Sequence, residues 1–131
     1  MKNTLRLGEA IYKILKDFEN VYPLVAKEST TFPFIIYRRS SGYTQNSKDG
    51  IYSVVSNIDI LVAATNYDDS IELAEKVLRK MESSKGIYSD FDIWNIKMIN
   101  CNESFIENTF IQEMTFAVEF SLTNKVGKIC Y

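Results

Sequence analysis

A chain of 131 residues with 46% hydrophobic and 24% charged residues, a formal charge of −2 and no histidine has room for one core. Its charge balance disfavours a protein whose main task is holding a phosphate backbone, and the missing histidines remove the commonest general base, the Ser-His and Cys-His nucleophile pairs and most transition-metal sites together. Cys101 and Cys130 form no Cys-x-x-Cys pair and read as reduced thiols, and the longest apolar runs, 32–37 and 58–64, are far shorter than a bilayer span.

In chain order, Leu7, Ala10, Ile11, Ile14, Leu15 and Phe18 recur at spacings of three and four, which predicts an amphipathic helix ending near Asn20. The N-terminal residues hold no continuous hydrophobic signal region, so synthesis inside the cell is expected. Val21-Tyr22-Pro23-Leu24 is short and proline-marked, an edge strand or an extended link. Beyond Pro33 a long strand is predicted over Phe34–Tyr43. Tyr43, Thr44, Gln45, Asn46, Ser47, Lys48, Asp49 and Gly50 contain no large aliphatic residue and end in Asp-Gly, which predicts the exposed tip of a long hairpin.

The returning strand, Ile51–Ala64, sets Val54, Ile58, Ile60, Val62 and Ala64 on a core face and Val55, Asn57, Asp59, Leu61 and Ala63 on the other. Asn66 is positioned to cap a second helix over Tyr67–Ser83, with Asp68 and Asp69 in its first turn. Ile71, Ala74, Val77, Leu78 and Met81 form its buried stripe. A strand follows over Ile93–Cys101, whose facing is blurred by apolar residues of both parities. In the last strand Phe110, Met114, Phe116, Val118, Phe120 and Leu122 alternate with Ile111, Glu113, Thr115, Ala117, Glu119 and Ser121, and only Gln112 interrupts the core set. Residues 124–131 read as a short tail of one domain spanning 1–131.

The sum is an α+β, two-layer domain: a mainly antiparallel four-stranded sheet with a long β-hairpin and two helices packed on one face. Its other face would carry Ile35, Tyr37, Val55, Leu61 and Ile111, an apolar surplus that suggests self-association or docking, the competing explanation being cover by a loop or the C-terminal tail.

None of the acidic pairs makes a convincing acid-base site. Asp68 and Asp69 are explained by a helix N-terminus, and Asp90-x-Asp92 lacks the glycine and further oxygen ligands of a calcium loop. Arg38 and Arg39 are adjacent on a strand and point to opposite faces, so they cannot clamp one phosphate together. Tyr37, Tyr43 and Tyr52 could stack on bases, but cross-strand packing explains them better in an acidic chain. No phosphate-binding glycine motif is present. No catalytic, metal or cofactor residue is therefore expected.

Val21-Tyr22-Pro23-Leu24, Phe32-Pro33-Phe34-Ile35-Ile36-Tyr37, and Ile58-Asp59-Ile60 followed by Asn66-Tyr67-Asp68 together resemble the tail-completion family of long-tailed phages and prophages, also described as tail-terminator or tail-to-head joining proteins. The order of features from Leu7 to Leu122 agrees with it. The resemblance implies a non-enzymatic virion protein, made in the bacterial host cytoplasm. It would assemble as a homo-oligomeric, typically six-fold ring that caps the tail-tube protein and joins the head connector. DNA would be only a transient passenger, and no membrane or cofactor would take part.

On this reading Tyr43–Gly50 would form an interface with neighbours or the connector, as would the tail. Asp59, Glu113 and Glu119 would face the channel and repel DNA. The alternative is a small α+β adaptor unrelated to virions that self-associates through its sheet. A small-molecule enzyme or an RNA-binding sheet ranks below both.

Overall fold

The structure, a computed structural model, describes residues 5–48 and 51–122, with side chains for 5–40 and 53–121. Asp49, Gly50 and the tail segment 123–131 lie outside the described residues. The elements are α1 (Leu7–Leu15), β1 (Val21–Pro23), β2 (Phe34–Lys48), β3 (Ile51–Ala64), α2 (Tyr67–Glu82), β4 (Gly86–Tyr88), β5 (Phe91–Ile106) and β6 (Thr109–Leu122).

The strands form one sheet in the order β1-β2-β3-β6-β5-β4. The expected α+β class and antiparallel centre are present, but the sheet has six strands rather than four. The two additions are three-residue edges. β1 runs parallel to β2, with Val21 opposite Ile35, and is held at both ends. Ile35 N–H donates to the Asn20 carbonyl, and Leu24 N–H donates to the Tyr37 carbonyl. The Asn20 amide also donates to the carbonyls of Thr31 and Pro33, fastening the loop that leads into β2. β4 begins at Gly86, whose φ of 105° suits a residue without a Cβ.

Both helices lie over one sheet face. α1 buries Leu7, Ala10, Ile11, Ile14 and Leu15 as its spacing predicts, although it stops at Leu15 and leaves Phe18 packed on the core from the following turn. In α2 the Asn66 side chain accepts from Asp69 N–H at 2.8 Å, the predicted cap.

The covered sheet face carries Val54, Ile58, Ile60 and Val62 of β3 with Met114, Phe116, Val118 and Phe120 of β6, the sets expected from alternation. Ile35 and Tyr37 belong to this core too, which corrects their assignment to the opposite face. The cause is register: Ile35 pairs with Val62 and Tyr37 with Ile60, so the odd residues of β2 share the core face and Phe34 and Ile36 take the other. Gln112 sits on the covered face because its amide donates to Ser70 Oγ on α2 and to Glu103 Oε1 on β5.

Two irregularities account for the blurred alternation of β5. Pairing with β6 shifts between Ile93 and Asn95 and again between Met98 and Asn100. Each extra residue flips the parity, so Ile93, Ile96, Met98 and Cys101 all fall on one face although they are odd, even, even and odd. β2 likewise shifts register against β3 between Arg39 and Tyr43. It then stays paired through Lys48 opposite Ile51, so Tyr43–Lys48 are strand rather than loop. Polar side chains do not prevent this, because the ladder is made by backbone groups.

Candidate functional site

The sheet face opposite the helices, uncovered among the described residues, gathers Asp59, Glu113 and Glu119. Asp59 of β3 lies opposite Arg38 of β2 and Thr115 of β6. Its carboxylate accepts from Thr115 Oγ1 at 2.7 Å and from Arg38 Nε at 3.3 Å. The same guanidinium reaches Glu113 Oε2 through Nη2 at 3.5 Å. Glu119, farther along the face, accepts from Ser53 Oγ at 2.9 Å.

Asp59 is only 8% exposed, so its two donors replace water rather than add to it. Arg38 sits between two carboxylates and offsets part of the negative charge that three free acids would give this face. Arg39 points the other way, beside Ile58. Val55, Leu61 and Ile111 share the uncovered face and are half-buried. Of the hairpin Tyr43–Gly50, backbone pairing is described for Tyr43–Lys48, and its side chains, with Asp49 and Gly50, lie outside the described residues.

A second surface was hidden from sequence reading. The expected strand ends at Cys101, yet β5 continues to Ile106 and turns through Glu107 and Asn108, both in the left-handed region (φ 49° and 61°). That is a two-residue hairpin turn of the kind that matches strand twist. The signal was available: Phe105-Ile106 and Phe110-Ile111 flank Glu107-Asn108-Thr109.

At this tip Phe105 and Ile106 are more than half exposed. Phe105 stacks on Phe110 with ring centroids 4.6 Å apart, and Phe110 meets the edge of Tyr67. The Tyr67 hydroxyl donates to Glu103 Oε1 at 2.9 Å. That carboxylate stabilises the protonated phenol and repels the phenolate, so Tyr67 ionises above the ordinary tyrosine range.

A third feature is a cleft of about 640 Å³ between α1 and the β1–β2 edge, lined by Leu5, Gly8, Tyr12, Lys13, Pro23 and Tyr37 among others. It adjoins a smaller one of about 330 Å³ that adds Leu24 and Arg39. Tyr37, at its floor, packs 6.5 Å from Tyr12. Burial, and secondarily the Tyr12 phenol, pushes its pKa above 10.0.

Because the folded state holds that proton more tightly than the unfolded chain, the Tyr37 contribution to stability is complete below pH 10. It is lost as pH rises through the folded pKa. Tyr37→Phe should therefore unfold less steeply with pH in the alkaline range, measured as urea midpoints, and should lack one late step in the tyrosinate absorbance titration. Superimposable alkaline profiles would contradict this assignment.

Among the described residues no three His, Cys, Asp or Glu side chains are grouped to hold a metal ion. No helix among them is long and apolar enough to cross a membrane.

No protein-family model matches the chain, and no curated protein matches its sequence. In fold it is similar to a chain in the solved virion of a native gene transfer agent (GTA) particle. The TM-score is 0.63 at 11% identity, covering 91% of this chain and 90% of that one. At that identity the likeness is one of fold.

Proposed function

We propose that this chain is a non-enzymatic structural protein of a phage-like virion, a tail-completion subunit. In this role it assembles as a ring, caps the tail tube and joins it to the head connector. The observation that carries the reading is the end-to-end fold likeness to a protein of a gene transfer agent virion. It agrees with the order of sequence features that resembles the tail-completion family.

The chemistry of the surface supports a structural role. Arg38, Asp59, Glu113 and Thr115, the polar groups that converge on the open face, are engaged with one another. That polar centre also makes the sheet a poor apolar dimer face, which weighs against the adaptor alternative. In the ring, Asp59, Glu113 and Glu119 would line the channel as a weakly acidic wall, with Arg38 moderating the field that passing DNA meets. The β2–β3 hairpin end would reach toward a neighbour or the connector.

Negative-stain microscopy of the protein mixed with cognate tail tubes tests this directly. A ring at one end of each tube is expected, and tubes with bare ends would overturn the reading. Deleting Gln45–Asp49 should leave cooperative unfolding intact and abolish joining to heads. Full joining by the shortened chain would remove the hairpin from the interface.

A further inference from the structure

We infer that the Phe105–Ile106 end of the β5–β6 hairpin in one copy seats in the cleft between α1 and the β1–β2 edge of the next copy. The inference deepens the ring reading and rests on it, since it names the contact through which such a ring would close.

Exposed large hydrophobic side chains concentrate at these two places. Phe105, Ile106 and Tyr67 stand at the tip, and Leu5, Tyr12 and Leu24 border the cleft. The tip is a narrow, two-stranded projection with a tight turn, and the cleft is a concave, half-apolar space of about 640 Å³ that could take two such side chains.

Charge agrees with shape. Glu103 and Glu107 flank the tip and, among the described residues, neither meets a cation within 4.0 Å. Lys13 and Arg39 flank the cleft and, among the described residues, neither meets a carboxylate within that distance. Glu9 also lines the cleft but is paired with Arg6 at 2.9 Å, so among the described residues the unpaired charge there is that of Lys13 and Arg39, opposite in sign to Glu103 and Glu107 at the tip.

The two surfaces cannot satisfy each other within one copy. Ser89, in the turn that opens β5, lines the cleft, whereas Ile106 ends that same strand, and the 16 residues of β5 between them span up to roughly 50 Å. A contact between different patches is heterologous, and repetition of it generates a ring or a filament rather than a two-fold dimer.

Two substitutions at exposed positions separate the halves. Ile106→Asp spoils the tip, and Leu24→Asp spoils the cleft at a residue with φ of 67°, which aspartate tolerates. Sedimentation velocity should show the wild-type chain associating along a series reaching roughly 1 mM, a range that populates weak contacts. Each variant alone should need roughly tenfold or more higher concentration, because an aspartate must be desolvated in an apolar contact.

An equimolar mixture should form a one-to-one dimer that grows no further, since one intact tip meets one intact cleft. Circular dichroism of both variants should match the wild type. A wild-type chain monomeric throughout, variants that associate normally, or a mixture that stays monomeric would each overturn the contact. Self-association by this route without capping of tail tubes would sink the functional reading and leave the contact standing. Capping unaffected by both variants would do the reverse.

Discussion

Phe116→Ala is expected to destabilise the domain by about 3–5 kcal/mol, the range for emptying a large aromatic site in a packed core. Phe116 is fully buried on β6, between Ile58 of β3 and Met98 of β5, beneath the helix layer. Strand pairing fixes the backbone on both sides, so neighbouring chains cannot collapse far into the space left behind, and the cavity term adds to the lost transfer energy. Domains of this size hold a total of about 5–15 kcal/mol, so the variant should unfold at a much lower urea concentration. Phe105→Ala is the control. Its ring is 57% exposed, and a loss under about 1 kcal/mol is expected there. If the two variants proved equally stable, the division between core and tip drawn above would be wrong.

The second large effect is expected from Arg38. Its guanidinium is half in solvent, and its bonds to Asp59 and Glu113 are long, at 3.3 and 3.5 Å, so the attraction itself is modest. What matters is the nearly buried carboxylate it serves. Arg38→Met leaves Asp59 with Thr115 as its one remaining side-chain donor, and a loss of about 1–3 kcal/mol follows from the unmet demand. Asp59→Asn in the same chain removes the charge that needed compensation, so the double variant should regain most of that stability. Urea titration of the four members of this cycle measures the coupling. A double variant as unstable as the sum of the two singles would show that the pair is not coupled.

Much of the scaffold was legible because its core obeys one period at a time. The α1 stripe, the Asn66 cap, and the two faces of β3 and β6 follow from spacing alone, as do Ala74, Val77, Leu78 and Met81 of α2. In α2, Ser70 and Leu73 rather than Ile71 complete the packed side. Where reading failed, pairing rather than propensity decides. Ile35 and Tyr37 could not be assigned a face without knowing that they stand opposite Val62 and Ile60. Ile93 and Ile96 belong to one face only because Trp94 is an extra residue in the ladder. Tyr43–Lys48 looked like loop because polar residues suggest solvent, yet the backbone pairs regardless.

The candidate surfaces divide in the same way. Asp59, Glu113 and Glu119 fall on one face by simple alternation, whereas their partner Arg38 needs the β2–β3 register to be found. The tip at Phe105 is marked only by two apolar pairs flanking Glu107-Asn108-Thr109, a turn signal with no periodic stretch to support it.

The interruptions in β5 have a consequence for the lifetime of the free chain. β4 covers only the first few residues of β5, so from Trp94 to Ile106 that strand has no strand partner on its outer side among the described residues. A long bare strand of this kind ordinarily invites a stranger's backbone and ends in aggregates. Here the ladder is broken at two points along the bare stretch, and the Glu82 carboxylate takes up Met98 N–H at 2.9 Å from the side. Lys97 places a charge within the same stretch. A uniform row of donors and acceptors is thereby reduced to short, mismatched pieces. The free chain is then less able to template fibres through the main chain of this edge, and contact at the edge is left to side-chain shape.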